Sequence, residues 1–513
     1  MENDYLQLIM SGLLNTLNPA NLALIILALA AGVIVGAIPG LSAAMATALL
    51  VPVTFGMDPA TGISMLAAIG IGAVYGGSNS AILLNTPGTP ASFVSTFDGY
   101  PLSQKGKADD ALYTALYCSV IGGVVGALGL IFFSIPLSSV AIKLGPPEYF
   151  WVAIFGLSTI ASLSYGAVFK GMLSGAIGLL IGTIGLDPVM ATPRFTFGYS
   201  PLMQGINIIA AMIGLFAFSQ MLVLASSNKT TIANYQKRKG AATSVIYKLF
   251  KSSKFNILRS SFIGTIIGVM PGAGAEIASM VSYNEAKRWD KNPKRFGTGE
   301  IDGIVASEAA NNASIGGMLM PTLTLGIPGG AAAAIMMGGL LTHGIQPGSK
   351  LFTNHGDIVY TFMISFLVAN LLLLIVGLLL IKVTIRVLNI PIRFVITGMI
   401  VLCTVGTYAL QNSMLDVVVM VVFGVIGFFG NRAGLDNAAI ALGLILAPLT
   451  ENALVQSLLL AKSEDSLFNV FISRPISLVF IILTIFTLVL PTLLAKRRKL
   501  SGNQYTENNK EVG

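Results

Sequence analysis

The sequence has little charge, little histidine and little cysteine. Of its 513 residues, 10% are charged and 54% are hydrophobic, and there are two His and two Cys. The mean hydropathy is +0.81. This composition is typical of a polytopic membrane protein and excludes a soluble enzyme. Cys118 and Cys403 lie in separate apolar stretches, so neither a disulfide framework nor a metal cluster is expected.

Motifs for enzymatic and ATP-driven chemistry are missing as well. The sequence contains no Gly-x-x-x-x-Gly-Lys-Ser/Thr motif and no His-Glu-x-x-His motif. An ATP-driven pump needs the first, and a zinc-dependent intramembrane protease needs the second. His343 and His355 flank a turn rich in Gly and Pro, which favours a loop position over catalysis. We therefore expect no enzymatic activity, and no cofactor other than Na⁺ or H⁺ acting as a coupling ion.

Basic residues are distributed very unevenly along the chain. Residues 1–104 contain no Lys or Arg, so we expect no secretory signal peptide and an N-terminus outside the cell. Lys and Arg concentrate in 226–259 and in 496–499. Because Lys and Arg in short loops mark the cytoplasmic side, the central loop and the C-terminus are predicted to be cytoplasmic. Binding of anionic lipid head groups is an additional possible role of the central loop.

Long apolar stretches account for most of the chain. A transmembrane helix needs about 20 apolar residues. Such stretches occur near residues 21–37, 113–141, 149–165, 170–186, 203–225, 358–387, 393–410, 414–430, 437–460 and 475–495, with interrupted apolar segments near 38–95 and 258–340. The sequence thus predicts an all-α polytopic membrane protein with roughly 10–12 transmembrane helices, some of them broken or re-entrant.

The chain contains an internal repeat. The segment from Gly36 to Gly40 is matched by that from Gly268 to Gly272, and later Gly, Pro and Asp positions match at offsets that increase along the chain. A drifting offset is typical of a duplicated fold with small insertions. We predict a first repeat in 1–225, a basic linker in 226–259, a second repeat with an added helix in 260–495, and a tail in 496–513. An N-terminus outside and a linker inside require an odd number of crossings in the first repeat, whereas a linker and a C-terminus both inside require an even number in the second. To resolve this conflict we favour inverted repeats plus an added C-terminal helix.

The matched Pro-Gly interruptions predict where a ligand binds. Pro and Gly free backbone groups that hydrocarbon cannot satisfy, and paired broken segments mark the binding sites of transporters. A short helix after each break would direct its N-terminal amides toward an anion. The alternatives are a proline kink and hydrogen bonding between helices. The candidate substrate-binding residues are Pro39, Gly40, Ser42, Ser78, Asn79, Ser80, Asn85, Thr86, Gly88, Pro271, Gly272, Gly274, Asn311, Asn312, Thr322, Thr324 and Gly329.

Two carboxylates of the second repeat are candidates for ion coupling. Glu276 follows the Pro-Gly break by one turn, and Glu308 precedes the paired glycines. Ionisable residues inside a membrane are functional candidates by default, and Asn79, Glu276 and Glu308 are the predicted coupling residues. A Na⁺ ion could bind at Asn79 and Glu276, or a carboxyl group could carry a proton. Alternatively, Glu276 caps a short helix and Glu308 lies at the membrane interface.

Several longer motifs resemble a known family. These are Gly36 to Gly40, Tyr75 to Gly88, Asp98 to Pro101, Pro271 to Glu276, Phe296 to Gly299, Glu308 to Asn312 and Thr324 to Gly329. Together they resemble the large membrane subunit of the bacterial tripartite tricarboxylate transporters, the TctA family. The resemblance implies a secondary transporter of the cell membrane that works with a small four-helix membrane subunit and an extracytoplasmic solute-binding protein. Citrate and related carboxylates are the cargo that it implies.

The residues and the resemblance predict the same mechanism. A di- or tricarboxylate would lie between the two broken segments, and few cationic side chains are available to balance its charge. Helix dipoles and a co-transported Na⁺ or H⁺ would supply the balance, which predicts cation symport. The alternative is an ion or solute channel with a broken-helix selectivity filter. We expect no interaction with nucleic acid.

Overall fold

The fold is almost entirely helical, as predicted from the sequence. The computed structural model describes residues 2–163, 168–187, 191–226, 241–272, 274–348, 350–388, 391–463, 466–472 and 474–489. The predicted tail, 496–513, and residues 227–240 of the predicted linker lie outside this part of the chain. Residues 241–259 of that linker are helical.

The helices are numbered in chain order. Those before the basic stretch are α1 (Glu2–Leu17), α2 (Pro19–Ala37), α3 (Ala43–Thr54), α4 (Pro59–Leu84), α5 (Thr96–Leu102), α6 (Ala108–Ala141), α7 (Pro146–Leu163), α8 (Val168–Gly182), α9 (Ile208–Met212) and α10 (Ser219–Ala225). A small antiparallel hairpin pairs β1 (Gly185–Leu186) with β2 (Pro193–Arg194). Short 3₁₀ turns occupy Pro90–Phe93 and Ser200–Gln204, and π-helical turns occupy Ser103–Lys107 and Ile213–Phe218.

The remaining helices follow the basic stretch. They are α11 (Ala241–Lys248), α12 (Lys254–Val269), α13 (Gly274–Trp289), α14 (Ile301–Leu325), α15 (Ala331–Thr342), α16 (Leu351–Asn354), α17 (Gly356–Val387), α18 (Ile392–Gln411), α19 (Met414–Ala433), α20 (Asn437–Ser463), α21 (Leu467–Ile472) and α22 (Pro475–Val489). A π-helical turn at Leu249–Ser253 joins α11 to α12, and a 3₁₀ turn at Pro293–Arg295 lies between α13 and α14.

Eight described helical segments are long and apolar enough to cross a membrane. These are Pro19–Ala37, Pro59–Leu84, Thr96–Ala141, Ile208–Ala225, Gly356–Val387, Arg393–Gln411, Met414–Ala433 and Asn437–Lys462. Four shorter apolar helices are α3, α8, α15 and α22. The protein is therefore a multi-pass membrane protein.

The chain forms two compact units, and each unit contains parts of both predicted repeats. Among the described residues, the first combines those up to 142 with those of 207–428, and the second combines those of 143–206 with those of 429–489. In the first unit, α2 packs on α4, α12 packs on α14, and α14 packs on α6. The central helix α4 is buried over nearly its whole length.

Glycines allow these helices of the first unit to approach closely. A Cβ on Gly36 of α2 would overlap the carbonyl of Ala73 in α4, and a Cβ on Gly268 of α12 would overlap the carbonyl of Ser314 in α14. Small residues of this kind let the backbones of membrane helices come into contact. Backbone contact is what brings the side chains of α4 and α14 within hydrogen-bonding distance of their neighbours.

Two Pro-Gly interruptions have nearly the same backbone geometry. After α2, Ile38 is extended at φ −75° and ψ 121°, and after α12, Met270 is extended at φ −77° and ψ 116°. Gly40 and Gly272 then take φ of +87° and +77°, a conformation that favours glycine. The predicted breaks are therefore present, and the short helices α3 and α13 follow them. In contrast, Gly77 lies within the continuous helix α4.

The second compact unit is a small helical bundle. Helix α20 packs against α7 and α8 around a core that includes Ala153, Leu442 and Leu446. The guanidinium of Arg194 in β2 forms a bidentate ion pair with Glu451. This charge pairing attaches the β-hairpin to α20.

Candidate functional site

One carboxyl group of the first unit is fully buried and contacted by three segments of the chain. Glu308, in the second turn of α14, accepts hydrogen bonds from three serine hydroxyls. Ser78 of α4 donates at 2.6 Å, Ser119 of α6 donates at 3.2 Å, and Ser95, just before α5, donates as well. Three separate segments therefore converge on one carboxyl group.

The groups that stabilise the Glu308 carboxyl group are neutral hydrogen-bond donors. Among the described residues, Glu308 forms no ion pair with Lys or Arg. A buried charge costs several kcal/mol unless hydrogen bonds or a counter-charge compensate it. Hydroxyl oxygens can also serve as ligands for a hard cation, and a carboxyl group can hold a proton. The arrangement is therefore suited to binding Na⁺ or H⁺.

Three buried asparagines lie on α4 and α14, the helices that also carry Ser78 and Glu308. Asn311 and Asn312 lie three and four residues after Glu308, which places all three on one face of α14. Neither the oxygen nor the nitrogen of the Asn311 carboxamide has a hydrogen-bond partner among the described residues, and the Asn312 oxygen lacks one as well. The oxygen of Asn79 in α4 is also without a partner in this part of the chain. Unsatisfied buried amides of this kind are available to a polar ligand.

In each half, the Pro-Gly break after one helix lies next to a second Pro-Gly break after a later helix. The N–H of Gly272 donates to the carbonyl of Gly329 at 3.0 Å, which joins the break after α12 to the break after α14. In the first half, Gly88 packs against the carbonyl of Gly36 at the end of α2. At the first break, the hydroxyl of Ser42 accepts from the N–H of Met45 at 3.1 Å and so caps α3.

The remaining predicted site residues occupy varied positions. Thr322, Thr324 and Ser80 are fully buried, and their hydroxyls donate to carbonyls of their own helices. Asn85 is exposed and ends α4 in a left-handed conformation at φ 53°. Glu276 is exposed in the first turn of α13. The other break residues are half-buried or buried, namely Pro39, Gly40, Thr86, Pro271 and Gly274.

Sequence reasoning missed two of the three serines around Glu308. Ser95 and Ser119 are fully or almost fully buried and contact Glu308, although neither was a predicted site residue. Ser119 follows Cys118 within a largely apolar part of α6, and a polar residue in such a stretch is a usable signal. Ser95 has no comparable signal, because it lies in a polar segment. Of the predicted residues, the structure brings Ser78 and Glu308 into direct contact.

Comparison with known proteins identifies one family. A model of the Tripartite tricarboxylate transporter TctA family matches residues 22–442. An "Uncharacterized 52.8 kDa protein in TAR-I ttuC' 3'region" of Agrobacterium vitis is 34% identical over 497 residues, which is 95% of this chain and 97% of that protein.

A second protein of Agrobacterium vitis matches part of the chain. It is the "Uncharacterized protein in TAR-II ttuC' 3'region", which is 32% identical over 237 residues, or 46% of this chain and 97% of that protein. No solved structure has a significant match to this chain.

Proposed function

Because this chain belongs to the Tripartite tricarboxylate transporter TctA family, we propose that it is the large transmembrane permease subunit of a binding-protein-dependent secondary transporter. Its cargo would be a tricarboxylate such as citrate or a related organic anion, taken up by cation symport. The single observation that carries the coupling is Glu308, a fully buried carboxylate whose hydrogen bonds come from neutral hydroxyls. Such a group changes its interactions greatly when a cation or proton binds.

The cation would bind at Glu308 with the surrounding serine hydroxyls. Ser78 and Ser119 could turn their oxygens toward Na⁺, or a proton could neutralise the carboxyl group while the serines keep their hydrogen bonds. Asn79 and Glu276 remain further candidates for the coupling ion. The exposure of Glu276 favours a helix-capping role for it, whereas the burial of Glu308 favours a coupling role.

The organic anion would use the asparagines and the breaks. The unpaired Asn311 carboxamide can donate to a carboxylate, and satisfying it would recover the cost of a buried unpaired amide, about 1–3 kcal/mol. The Ser42 hydroxyl at the start of α3 supplies a further donor. Binding of the coupling cation nearby would offset the charge of the anion.

The fold would have arisen by duplication. The contact of Gly32 with the Ile69 carbonyl is repeated by Gly264 with the Ala310 carbonyl. By the same pattern, Gly76, which meets the Val33 carbonyl, corresponds to Gly317, which meets the Thr265 carbonyl. The Gly-Gly motifs of the sequence instead align Gly76 with Gly316, one position earlier. Matched contacts between matched helices support two structural repeats, as in many secondary transporters.

The family is tripartite, so this subunit would act with others. We propose a small four-helix membrane subunit and an extracytoplasmic solute-binding protein as the partners. The binding protein would deliver the carboxylate to this subunit in the bacterial inner membrane, with the basic central loop and the C-terminus in the cytoplasm.

The test is uptake by vesicles reconstituted with all three subunits. Labelled carboxylates are scanned one at a time under an imposed Na⁺ gradient, an imposed pH gradient, or neither. We expect saturable uptake that requires the binding protein and one of the two gradients. Uptake independent of both gradients would contradict symport, and a non-saturable conductance would indicate a channel instead.

A further inference from the structure

A short segment of the first unit contacts Glu308 and is held by two of its side chains, those of Ser95 and Asp98. This 90–102 segment consists of the 3₁₀ turn Pro90–Phe93, the two linking residues Val94 and Ser95, and helix α5. It lies between two positions with positive φ, because Asn85 is left-handed at φ 53° before it and Gly106 has φ 74° after it. Such positions can absorb changes in backbone angles, as the hinges of moving elements do.

The first attachment of the segment is made by Asp98. This buried carboxylate accepts three backbone N–H groups at one oxygen, from Gly297 at 2.9 Å, Gly299 at 2.8 Å and Glu300 at 2.7 Å. Its other oxygen accepts the hydroxyl of Tyr283 at 2.8 Å. All four donors are neutral and come from the segment between α13 and α14 or from α13 itself. The two sequence motifs around Asp98 and Gly297 are thus two halves of one contact.

Glycine is required on the receiving side of this contact. Gly297 has φ +87° and Gly299 has φ +103°, which turn their N–H groups toward a single oxygen. A Cβ on Gly303 would overlap the carboxylate of Asp98. The loop is therefore shaped to receive this one side chain.

The second attachment of the segment is made by Ser95. Its hydroxyl donates to Glu308, and it lies 3.0 Å from the hydroxyl of Ser307. Between Ser95 and Asp98, the ring of Phe97 packs edge-on against Tyr283 at 5.5 Å between centroids. Ser307 and Glu308 are fully buried with the segment in place.

From this geometry we infer that the 90–102 segment is a movable gate over Glu308, and that Asp98 is the residue that latches it. The inference rests on the proposed transport function. Release of the four hydrogen bonds from neutral donors would free the segment at Asp98, and the Ser95 contact would make its release from α14 depend on the occupancy of Glu308. Asp98 is a positioning residue, since it acts through the segment and not on the cargo.

The first test measures access to Ser307 and needs no transport. Ser307→Cys is made in a chain whose two native cysteines, Cys118 and Cys403, are replaced by Ala, and labelling by a small maleimide is followed in membrane vesicles. Adding Asp98→Asn should accelerate labelling roughly tenfold or more, the factor expected for loss of one hydrogen bond to a charged group. Tyr283→Phe, which removes one donor, should give a smaller acceleration.

The matched control is Asp290→Asn. Asp290 lies before the same loop and pairs with Arg295 at 2.6 Å, and hydrogen bonding to Arg295 holds the pKa of Asp290 below its ordinary value. In the described part of the chain its hydrogen bonds and ion pair go to Asn292 and Arg295 and not to the 90–102 segment, so labelling should not change. Equal labelling of the Asp98→Asn and Asp290→Asn proteins would overturn the gate while leaving the proposed transport function intact.

The second test locks the gate. Ser95→Cys with Ser307→Cys places two thiols where hydroxyls lie 3.0 Å apart, close enough for a disulfide after a small shift. Oxidation should abolish exchange of labelled for unlabelled carboxylate, which needs gate movement but no net cation movement, and reduction should restore exchange to its level before oxidation. Exchange that is equal in the oxidised and reduced forms, and above that of vesicles without the protein, would refute a moving gate, even if Asp98→Asn fails to fold.

Discussion

Replacing Glu308 by Gln should separate coupling from folding. The carboxylate accepts three serine hydroxyls, and hydrogen bonds to a charged group contribute about 1.5–3 kcal/mol each, so the gross stabilisation is roughly 5–9 kcal/mol. Burying the charge costs several kcal/mol, which offsets most of this. Gln has nearly the same shape and no charge, and the serine hydroxyls can rotate to accept its N–H groups. We expect the free energy of unfolding to change by less than about 2 kcal/mol.

Glu308→Ala gives the contrasting result. It leaves three buried hydroxyls without their partner, at about 1–3 kcal/mol each, and it also opens a cavity. A loss of roughly 3–9 kcal/mol is comparable with the whole stability of a typical domain. We therefore expect the Glu308→Gln protein to fold and little of the Glu308→Ala protein to do so. Thermal unfolding and size-exclusion chromatography in detergent measure both.

The transport assay then tests the role of Glu308. The Gln variant should lose accumulation driven by the cation gradient, while exchange of labelled for unlabelled carboxylate across the vesicle membrane persists. Exchange needs cargo binding and gate movement but no net cation movement. Gradient-driven accumulation at more than about half the wild-type rate would refute a coupling role for Glu308, because a rate change of twofold is only about 0.4 kcal/mol.

Other residues of the first unit give further predictions. Ser78→Ala should weaken the apparent affinity for the coupling cation and lower stability by about 1–3 kcal/mol, whereas Ser64→Ala on the same helix loses only a local bond to the Ala60 carbonyl and should not change the affinity. Asn311→Leu removes two unpaired buried polar atoms, so it should leave thermal stability equal or higher yet raise the KM for the carboxylate roughly tenfold; an unchanged KM would contradict a ligand role. Gly268→Leu would push α12 from the backbone of α14 and cost about 3 kcal/mol or more, seen as loss of monodisperse protein, while Gly398→Leu, where a Cβ meets open space, should be tolerated.

Much of the architecture follows from local chemistry and was predictable from the sequence. Long apolar stretches give the spanning helices, because hydrocarbon allows only structures that satisfy their own backbone hydrogen bonds. Pro39 and Pro271 lack an N–H and are followed by glycines with positive φ, so the two interruptions after α2 and α12 could be located. Membership of the family was also readable, since its motifs are contiguous in sequence.

Partnerships between distant segments depended on the tertiary structure. Hydropathy placed Glu308 near a charged loop, but whether it was exposed or buried depended on how α14 packs against α4 and α6. Ser95 and Ser119 lie 213 and 189 residues from Glu308 along the chain, and no local periodicity relates them to it.

The sequence by itself determined a helical membrane protein of one transporter family, with its chain broken at two Pro-Gly positions. Only the tertiary structure decided which polar groups meet: the serines on Glu308, and Asp98 on the loop at Gly297 to Glu300. The physical reason is range. Backbone conformation and hydrophobicity act over a few neighbouring residues, whereas the balance of a buried charge depends on whatever donors close packing brings within about 3 Å.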